Sequence, residues 1–396
     1  MSYSDHFSIA NLPYGIASTT TGAHRESAVV TRLEDKVVFL ADLTLDVSDQ
    51  AAAAFSQPTL NSLAALSKSE LQQIREKLRS ALSDSSVVEK HGFKLEDVVL
   101  HLPIAVAGFT DFSCSKEHVL NAGEAVFGKR NLPPGFLHYP VGYAGTSSTV
   151  VVSGTPVQRP NGVYRAGETI EYGASRAMDY ELEFAAIIGK PTKMGDSVKL
   201  EDADDHIFGL VLLNDWSARD IQGLEMVPLG PMNGKSFATS ISPWVVTLDA
   251  LEPFATKAPA KEYPVSVFLH EKKENPSYDI KLEAEIIRDG KSTKICTANV
   301  SWMYWTFRDL VVQKTINGCN LNTGDILATG TVSGVGDDEH GCLLELTKGG
   351  RVEITLADGA KSTYLQDGDG IRMTANCGGG VGFGDCTGFL TPARPL

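Results

Sequence analysis

The stretch Met178–Lys190, M-D-Y-E-L-E-F-A-A-I-I-G-K, sets Glu181 and Glu183 two positions apart in an apolar run. Side chains alternate along a strand, so both carboxylates would share one face, with Cα atoms roughly 6.6 Å apart. Leu182 and Phe184 would point the other way. On a helix the same pair would diverge. Two like charges on a half-buried face repel and lose hydration, and a divalent cation reverses both effects. Oxygen ligands of this kind suit Mg2+ or Ca2+, and Mn2+ accepts them too. The plainer reading is a strand whose polar face meets solvent.

Two further acids follow apolar stretches: Asp111 in G-F-T-D-F and Asp215 in F-G-L-V-L-L-N-D-W-S-A-R-D. Functional groups collect at such strand ends, although each acid alone reads first as a turn or helix cap. A helix beginning at Asp215 would carry Arg219, Gln222 and Met226 on the same face, where Asp215–Arg219 is also an ordinary i, i+4 ion pair. Lys235 and Thr239 sit in the turn-rich P-L-G-P-M-N-G-K-S-F-A-T, and His118 in D-F-S-C-S-K-E-H, seven residues after Asp111. Glu345, in G-C-L-L-E-L-T-K-G, alternates with Leu344 and Leu346 and could face water. Spacing does not join it to His118.

The chain that must position these groups has 396 residues, enough for two domains. With 35 Lys and Arg against 49 Asp and Glu, its formal charge is −14, which argues against nucleic acid and anionic membranes as partners. The apolar run Ile207–Leu213, broken by Gly209, is far too short to span a bilayer. The start MSYSDHFSIA lacks a basic, apolar signal pattern, so a cytosolic enzyme is expected. Six scattered cysteines without C-x-x-C pairing argue for reduced thiols rather than thiolate zinc. Neither a P-loop nor a strand-bound G-x-G-x-x-G indicates a nucleotide cofactor.

Val29–Leu40 predicts two short strands around a turn at Glu34-Asp35. Ser67-Lys68-Ser69-Glu70 is a capping-box pattern, followed by Leu71, Ile74, Leu78 and Leu82 at helical spacing. These features predict a small β-rich module with a helical appendage over residues 1–103, the boundary falling near His101-Leu102-Pro103. Residues 104–396 are dense in glycine and β-rich runs, with turns at Asn161-Gly162, Asp289-Gly290, Asp358-Gly359 and Asp367–Gly370. A large, mainly antiparallel β domain is expected there, with one of its few helices at Ser301–Val312.

Ten segments together resemble the fumarylacetoacetate hydrolase family. They are F-S-I-A-N-L-P-Y-G (7–15), Y-P-V-G-Y-A-G (139–145), V-V-S-G-T-P (151–156), M-D-Y-E-L-E (178–183) and N-D-W-S-A-R-D-I-Q (214–222). V-P-L-G-P-x-x-G-K-S-F (227–237), S-P-W-V-V (242–246), M-Y-W-T (303–306), N-G-C-N-L (317–321) and G-T-V-S-G (330–334) continue the series. The likeness runs in order along nearly the whole chain and is weakest over residues 50–98. The amino-terminal segment narrows it to the long, eukaryotic-type branch.

The resemblance implies a small SH3-like barrel followed by a large mixed β-sandwich roll, in a homodimer. It implies a divalent cation held by Asp111, Glu181, Glu183 and Asp215, with Lys235 and Thr239 in its surroundings. His118 matches the general base and Glu345 the carboxylate that orients it. Arg219, Gln222 and Lys235 match groups that steady developing negative charge, and Tyr143, Gln222 and Thr331 match substrate contacts. The implied reaction is hydrolysis of a C–C bond in a 1,3-diketone, fumarylacetoacetate giving fumarate and acetoacetate in tyrosine and phenylalanine breakdown.

Three positions depart from the pattern. Ser113 and Met226 stand where tyrosines are usual, and an expected arginine is out of register around Gly128, with Lys129 and Arg130 as the nearest basic residues. These departures leave open a related hydrolase acting on another acyl-ketone or specialised metabolite. A decarboxylase, hydratase or isomerase of a β-keto acid is a further alternative, which the retained base and its partner disfavour. A non-catalytic binding protein on the same fold is the remaining one.

Overall fold

In the computed structural model, which describes residues 3–19 and 26–396, the run carrying Glu183 is the strand Leu182–Ile188, buried along its whole length. Alternation divides it between two cores. Leu182, Phe184, Ala186 and Ile188 enter one cluster, Ala185 and Ile187 the other. Its antiparallel neighbour Ile207–Asp215 divides likewise, with Leu210 and Leu212 on one side and Val211 and Leu213 on the other. Burial on both faces is why these strands read as continuous apolar runs.

They lie inside a seven-stranded mixed sheet. Its order is Val141–Ala144, Phe109–Ser113, Ile326–Ala328, Leu182–Ile188, Ile207–Asp215, Thr239–Ile241 and Val150–Val152. A five-stranded sheet covers the first core, in the order Lys291–Asn299, Lys281–Arg288, Gly370–Gly378, Val381–Thr391, Val157–Gln158. Phe184 meets Phe383 of that second sheet edge to face, ring centroids 4.8 Å apart. The chain is thus mainly β, with a large curled-sheet unit as expected.

The amino-terminal part is a separate five-stranded antiparallel sheet, Gly92–Lys94, Lys36–Phe39, Ala28–Leu33, Tyr14–Thr19 and Val98–His101 in that order. Ala28–Leu33 and Lys36–Phe39 flank the predicted turn. The helix Lys68–Leu82 starts with the complete capping box of Ser67 and Glu70, and buries Ile74, Leu78 and Leu82. Tyr14, Leu63 and Ile74 share one core cluster with Ala185, Val211 and Ile326 of the central sheet. Apolar packing therefore continues across the segment His101–Pro103.

Two expectations fail locally. The helix expected at Ser301–Val312 runs instead over Phe307–Thr315, because Thr306 and Asp309 form a capping box that starts it there. Asn161-Gly162 is not a turn but the beginning of the strand Asn161–Ala166, paired with Thr169–Ala174. Gly162 is needed for packing, since a Cβ there would strike the Ile221 side chain. Asp289-Gly290 does join two strands, both residues having positive φ as a two-residue hairpin turn requires.

Candidate active site

Sheet register gathers the acids. Asp111 pairs with Tyr143 on one side and Ala328 on the other. Glu183 lies opposite Leu213, two residues before Asp215, which ends its strand opposite Thr239. Glu181 immediately precedes the strand, where its N–H donates to Asn214 Oδ1 at 3.2 Å. Each of the four carboxylates offers an oxygen within 4.8 Å of the others, and all four are buried. The Glu181–Glu183 pair converges as the alternation rule anticipates, although Glu181 stands one residue outside the strand.

Two cations oppose this charge. Lys235 Nζ lies 2.6 Å from both Glu181 Oε2 and Asp215 Oδ2, and Arg219 Nη1 lies 2.6 Å from Glu181 Oε1. Thr239 donates to Asp215 Oδ1 at 2.9 Å, and the Tyr143 hydroxyl to Asp215 Oδ2 at 3.2 Å. Burial works against charge on Glu181, but Lys235 and Arg219 outweigh it and hold that carboxyl well below its ordinary range. The other acids fare differently. Burial, aided by the Asp215 charge, pushes Asp111 up to about 7. Burial, then Asp111 and Glu181, raise Glu183 far above its ordinary value.

Both oxygens of Glu183 and Oδ1 of Asp111 are buried without a hydrogen-bond partner among the described residues. Leaving a buried carboxylate unpaired costs several kcal/mol. A hard divalent cation would satisfy these orphaned oxygens together, and an all-oxygen donor set is the type such ions prefer. The residues present therefore fit a divalent cation.

A second cluster adjoins the first. His118 lies on the helix Lys116–Phe127, whose amino end is capped by the Ser115 side chain. Its Nδ1 is 2.7 Å from Glu345 Oε1. Glu345 is not on a solvent-facing strand, as its alternation suggested, but on the four-residue helix Leu343–Leu346, with its side chain fully enclosed. Ser333 donates to its Oε1 at 2.8 Å and Asn121 to its Oε2 at 2.9 Å. Burial disfavours charge on both partners. Even so, Glu345 raises the His118 pKa above its ordinary 6.5, and His118 lowers that of Glu345. Glu181 also raises His118, while Arg219 lowers it.

Arg219 begins the helix Arg219–Glu225, so this helix starts four residues later than spacing from Asp215 predicts. A short strand, Ser217–Ala218, intervenes. Gln222 Oε1 accepts from Arg219 Nη1 at 3.1 Å. Met226 caps the helix and is exposed, not stacked on an Asp215 face. Thr331 is buried, its hydroxyl without a hydrogen-bond partner among the described residues. It follows Gly330, where positive φ and the nearby Phe112 carbonyl exclude a Cβ. Ser113 is half-buried, and no hydrogen bond ties it to the acids among the described residues. Gly128 ends the His118 helix in a left-handed cap, and Arg130 folds back onto that helix. It pairs with Glu117 at 2.7 Å and Glu124 at 3.7 Å and donates to Asn121.

Spacing also missed residues. Asp179, Asn121 and Ser333 all bond within this constellation. Asp179 alone left a signal, as a third acid in the apolar word M-D-Y-E-L-E.

The profile for the fumarylacetoacetate hydrolase C-terminal region matches residues 108–388, and that for the fumarylacetoacetase N-terminal region matches residues 10–103. Fumarylacetoacetase fahA of Aspergillus fumigatus is 41% identical over 420 residues, covering 98% of this chain and 97% of that protein. The fumarylacetoacetase of Homo sapiens is 39% identical, covering 98% and 96%. Among solved structures, a fumarylacetoacetate hydrolase from psychrophilic Exiguobacterium antarcticum aligns with TM-score 0.53 at 20% identity, covering 96% of this chain and 100% of that one. A probable 2-hydroxyhepta-2,4-diene-1,7-dioate isomerase from Mycobacterium abscessus aligns with TM-score 0.53 at 19% identity, with the same coverage. At those identities the structural likeness shows the fold alone. Profiles matched over both parts of the chain, and close identity along its whole length, establish that the chain belongs to the fumarylacetoacetate hydrolase family.

Proposed function

We propose that this protein hydrolyses the C–C bond of a 1,3-diketone, with fumarylacetoacetate as substrate and fumarate and acetoacetate as products. The observation that carries this reading is the convergence of four buried carboxylates beside the His118–Glu345 pair. The near-full-length relatives named fumarylacetoacetase supply the substrate.

Asp111, Glu181, Glu183 and Asp215 would hold the divalent cation, Mg2+ or Ca2+, with Lys235 and Thr239 around them. Bound there, such an ion supplies Lewis-acid polarisation of a carbonyl and a template for the diketone. Glu345 accepts a hydrogen bond from the Nδ1–H of His118, which leaves Nε2 free to take a proton from water. The hydroxide so formed adds to the carbonyl carbon. The tetrahedral alkoxide then collapses, breaking the C–C bond to release the acid and an enolate. The proton held by His118 returns to the enolate carbon. Arg219, whose buried Nη2 has no partner among the described residues, together with Lys235 and Gln222, steadies the negative charge that builds during this sequence. Tyr143 and Thr331 contact the substrate in this reading.

The test is loss of the diketone enolate absorbance, followed on fumarylacetoacetate and a neutral acylacetone, with and without EDTA. EDTA-sensitive turnover of fumarylacetoacetate supports the reading, and inactivity on both compounds overturns it. Arg130 favours a second reading within hydrolysis. It is engaged by Glu117, Asn121 and Glu124 of its neighbouring helix, and Ser113 and Met226 replace usual substrate-contact tyrosines. A preference for the neutral acylacetone would select an acyl-ketone other than fumarylacetoacetate.

The same resemblance supports a homodimer, a cytoplasmic location and a division into residues 1–103 and 104–396. No helix among the described residues is long and apolar enough to cross a membrane.

A further inference from the structure

The Asp179 carboxylate is fully buried and accepts four hydrogen bonds. Oδ1 accepts from Tyr180 N–H at 2.8 Å and Leu343 N–H at 2.7 Å. Oδ2 accepts from Leu344 N–H at 2.9 Å and Arg219 Nε at 2.7 Å. That fills the capacity of a carboxylate. Leu343 and Leu344 are the first two residues of the helix bearing Glu345, and Cys342, at the cap position, accepts none of their N–H groups with its side chain; its Sγ donates instead to Glu345 Oε1 at 3.3 Å. Asp179 therefore caps from a distance the very turn that aims Glu345. Of its two other hydrogen bonds, the one from Arg219 Nε holds that guanidinium, whose Nη1 reaches Glu181.

We propose that Asp179 is a positioning residue, locking the Glu345 helix to Arg219 so that the base and the group facing developing charge keep one fixed spacing. This inference rests on the proposed hydrolysis. Asp179 touches neither His118 nor the four clustered carboxylates directly; it acts through Glu345 and Arg219. An asparagine would offer one acceptor oxygen to four donors and turn an amide N–H₂ toward the rest. Such loosening costs turnover far more than binding, because a misplacement of about 1 Å is worth roughly 10²-fold in rate.

The experiment compares the full-length, Mg2+-loaded protein with Asp179→Asn and Leu343→Pro. Leu343→Pro deletes one N–H to Oδ1 without changing any charge. Proline is tolerated at the first helical position, and Cys342 before it is already extended. Two readouts are taken: kcat and KM across pH, and the His118 ring titration by histidine NMR, assigned with His118→Ala. Glu345 and Glu181 raise the His118 pKa and Arg219 lowers it. In both variants the expected results are a fall in kcat of roughly 10²-fold, a nearly unchanged KM, and a His118 titration moved to lower pH as Glu345 loosens. A His118 titration that stays in place in Leu343→Pro overturns the proposal, whatever happens to thermal stability. Should Asp179→Asn fail to fold, Leu343→Pro decides alone. Should the wild-type protein turn over no diketone, the proposed function fails, while the titration still decides the role of Asp179.

Discussion

His118 Nδ1 and Glu345 Oε1 lie 2.7 Å apart although 227 positions separate them in the chain. Burial pulls the His118 pKa down, but the Glu345 carboxylate more than offsets it, so the ring stays protonated to a higher pH than a free histidine. A protonated ring cannot accept a proton from water. The acidic limb of kcat/KM is therefore expected to have its midpoint above 6.5, with activity falling as pH drops through it. Glu345→Gln removes the offsetting charge and moves that midpoint to lower pH, with reduced kcat. A limb that is unchanged in Glu345→Gln rules out His118 as the titrating base.

His118→Ala should lose on the order of 10²–10⁴-fold in kcat, the usual contribution of a positioned base. Its metal affinity should match that of the wild-type protein, since His118 supplies none of the clustered carboxylate oxygens. Calorimetric titration of the EDTA-stripped variant with Mg2+ measures the second point directly. Wild-type turnover by His118→Ala would refute the assignment.

Glu183 is fully buried, with both oxygens unpartnered among the described residues, so it should matter most where cation and fold are linked. A ligand that binds the native state at about 100 times its Kd stabilises by about 2.7 kcal/mol. The wild-type protein should accordingly melt at higher temperature with Mg2+ or Ca2+ than with EDTA. Glu183→Gln should remove most of that difference while the metal-free protein melts no lower than wild type, because a buried, unpaired acid is replaced by a neutral isostere. Equal metal-induced shifts in the two proteins would show that Glu183 is not a ligand.

Arg130 separates the two candidate substrate classes. Its guanidinium is spent on Glu117, Glu124 and Asn121, and surface pairs of this kind contribute little to stability. Arg130→Met should therefore leave thermal stability almost unchanged. If Arg130 reads the carboxylate end of fumarylacetoacetate, KM for that compound rises in the variant while KM for a neutral acylacetone does not. Parallel KM values for both compounds would remove Arg130 from substrate recognition.

Local patterns carried much of this architecture. Alternation around Glu181 and Glu183 correctly anticipates convergent acids, because a strand buried on both faces leaves a carboxylate few other places to go. The capping box at Ser67 and the turn at Asp289-Gly290 are likewise short-range signals obeyed by the chain. What spacing does not hold is anything made by tertiary contact. Glu345 reads as half of an alternating strand, yet Asp179, more than 160 positions earlier, caps its residues into a helical turn. Arg219 reads as a helical partner of Asp215, but the strand pairing of Ser217–Ala218 delays the helix and turns Arg219 toward Asp179 and Glu181. His118 joins Glu345 only through the family resemblance, since no local rule links residues brought together by the final packing of two short helices.

Lys235 competes with the cation for the same carboxylate oxygens. Its ammonium lies 2.6 Å from Glu181 Oε2 and from Asp215 Oδ2, two of the oxygens that would hold the cation. Burial penalises this charge, but Asp215 and Glu181 outweigh the penalty and keep Lys235 protonated well beyond its ordinary range. A fixed positive charge at that distance opposes a second cation and occupies acceptor positions on both acids. Lys235→Met, which keeps the aliphatic stem and removes the charge, should therefore bind Mg2+ more tightly than wild type. The same change deletes a donor facing the developing enolate, which typically costs roughly 10²–10³-fold in kcat. Tighter metal binding together with slower turnover is the expected signature, read by calorimetry and by the enolate assay on one preparation. Weaker metal binding in Lys235→Met would mean that the lysine organises Glu181 and Asp215 for the ion instead of competing with it.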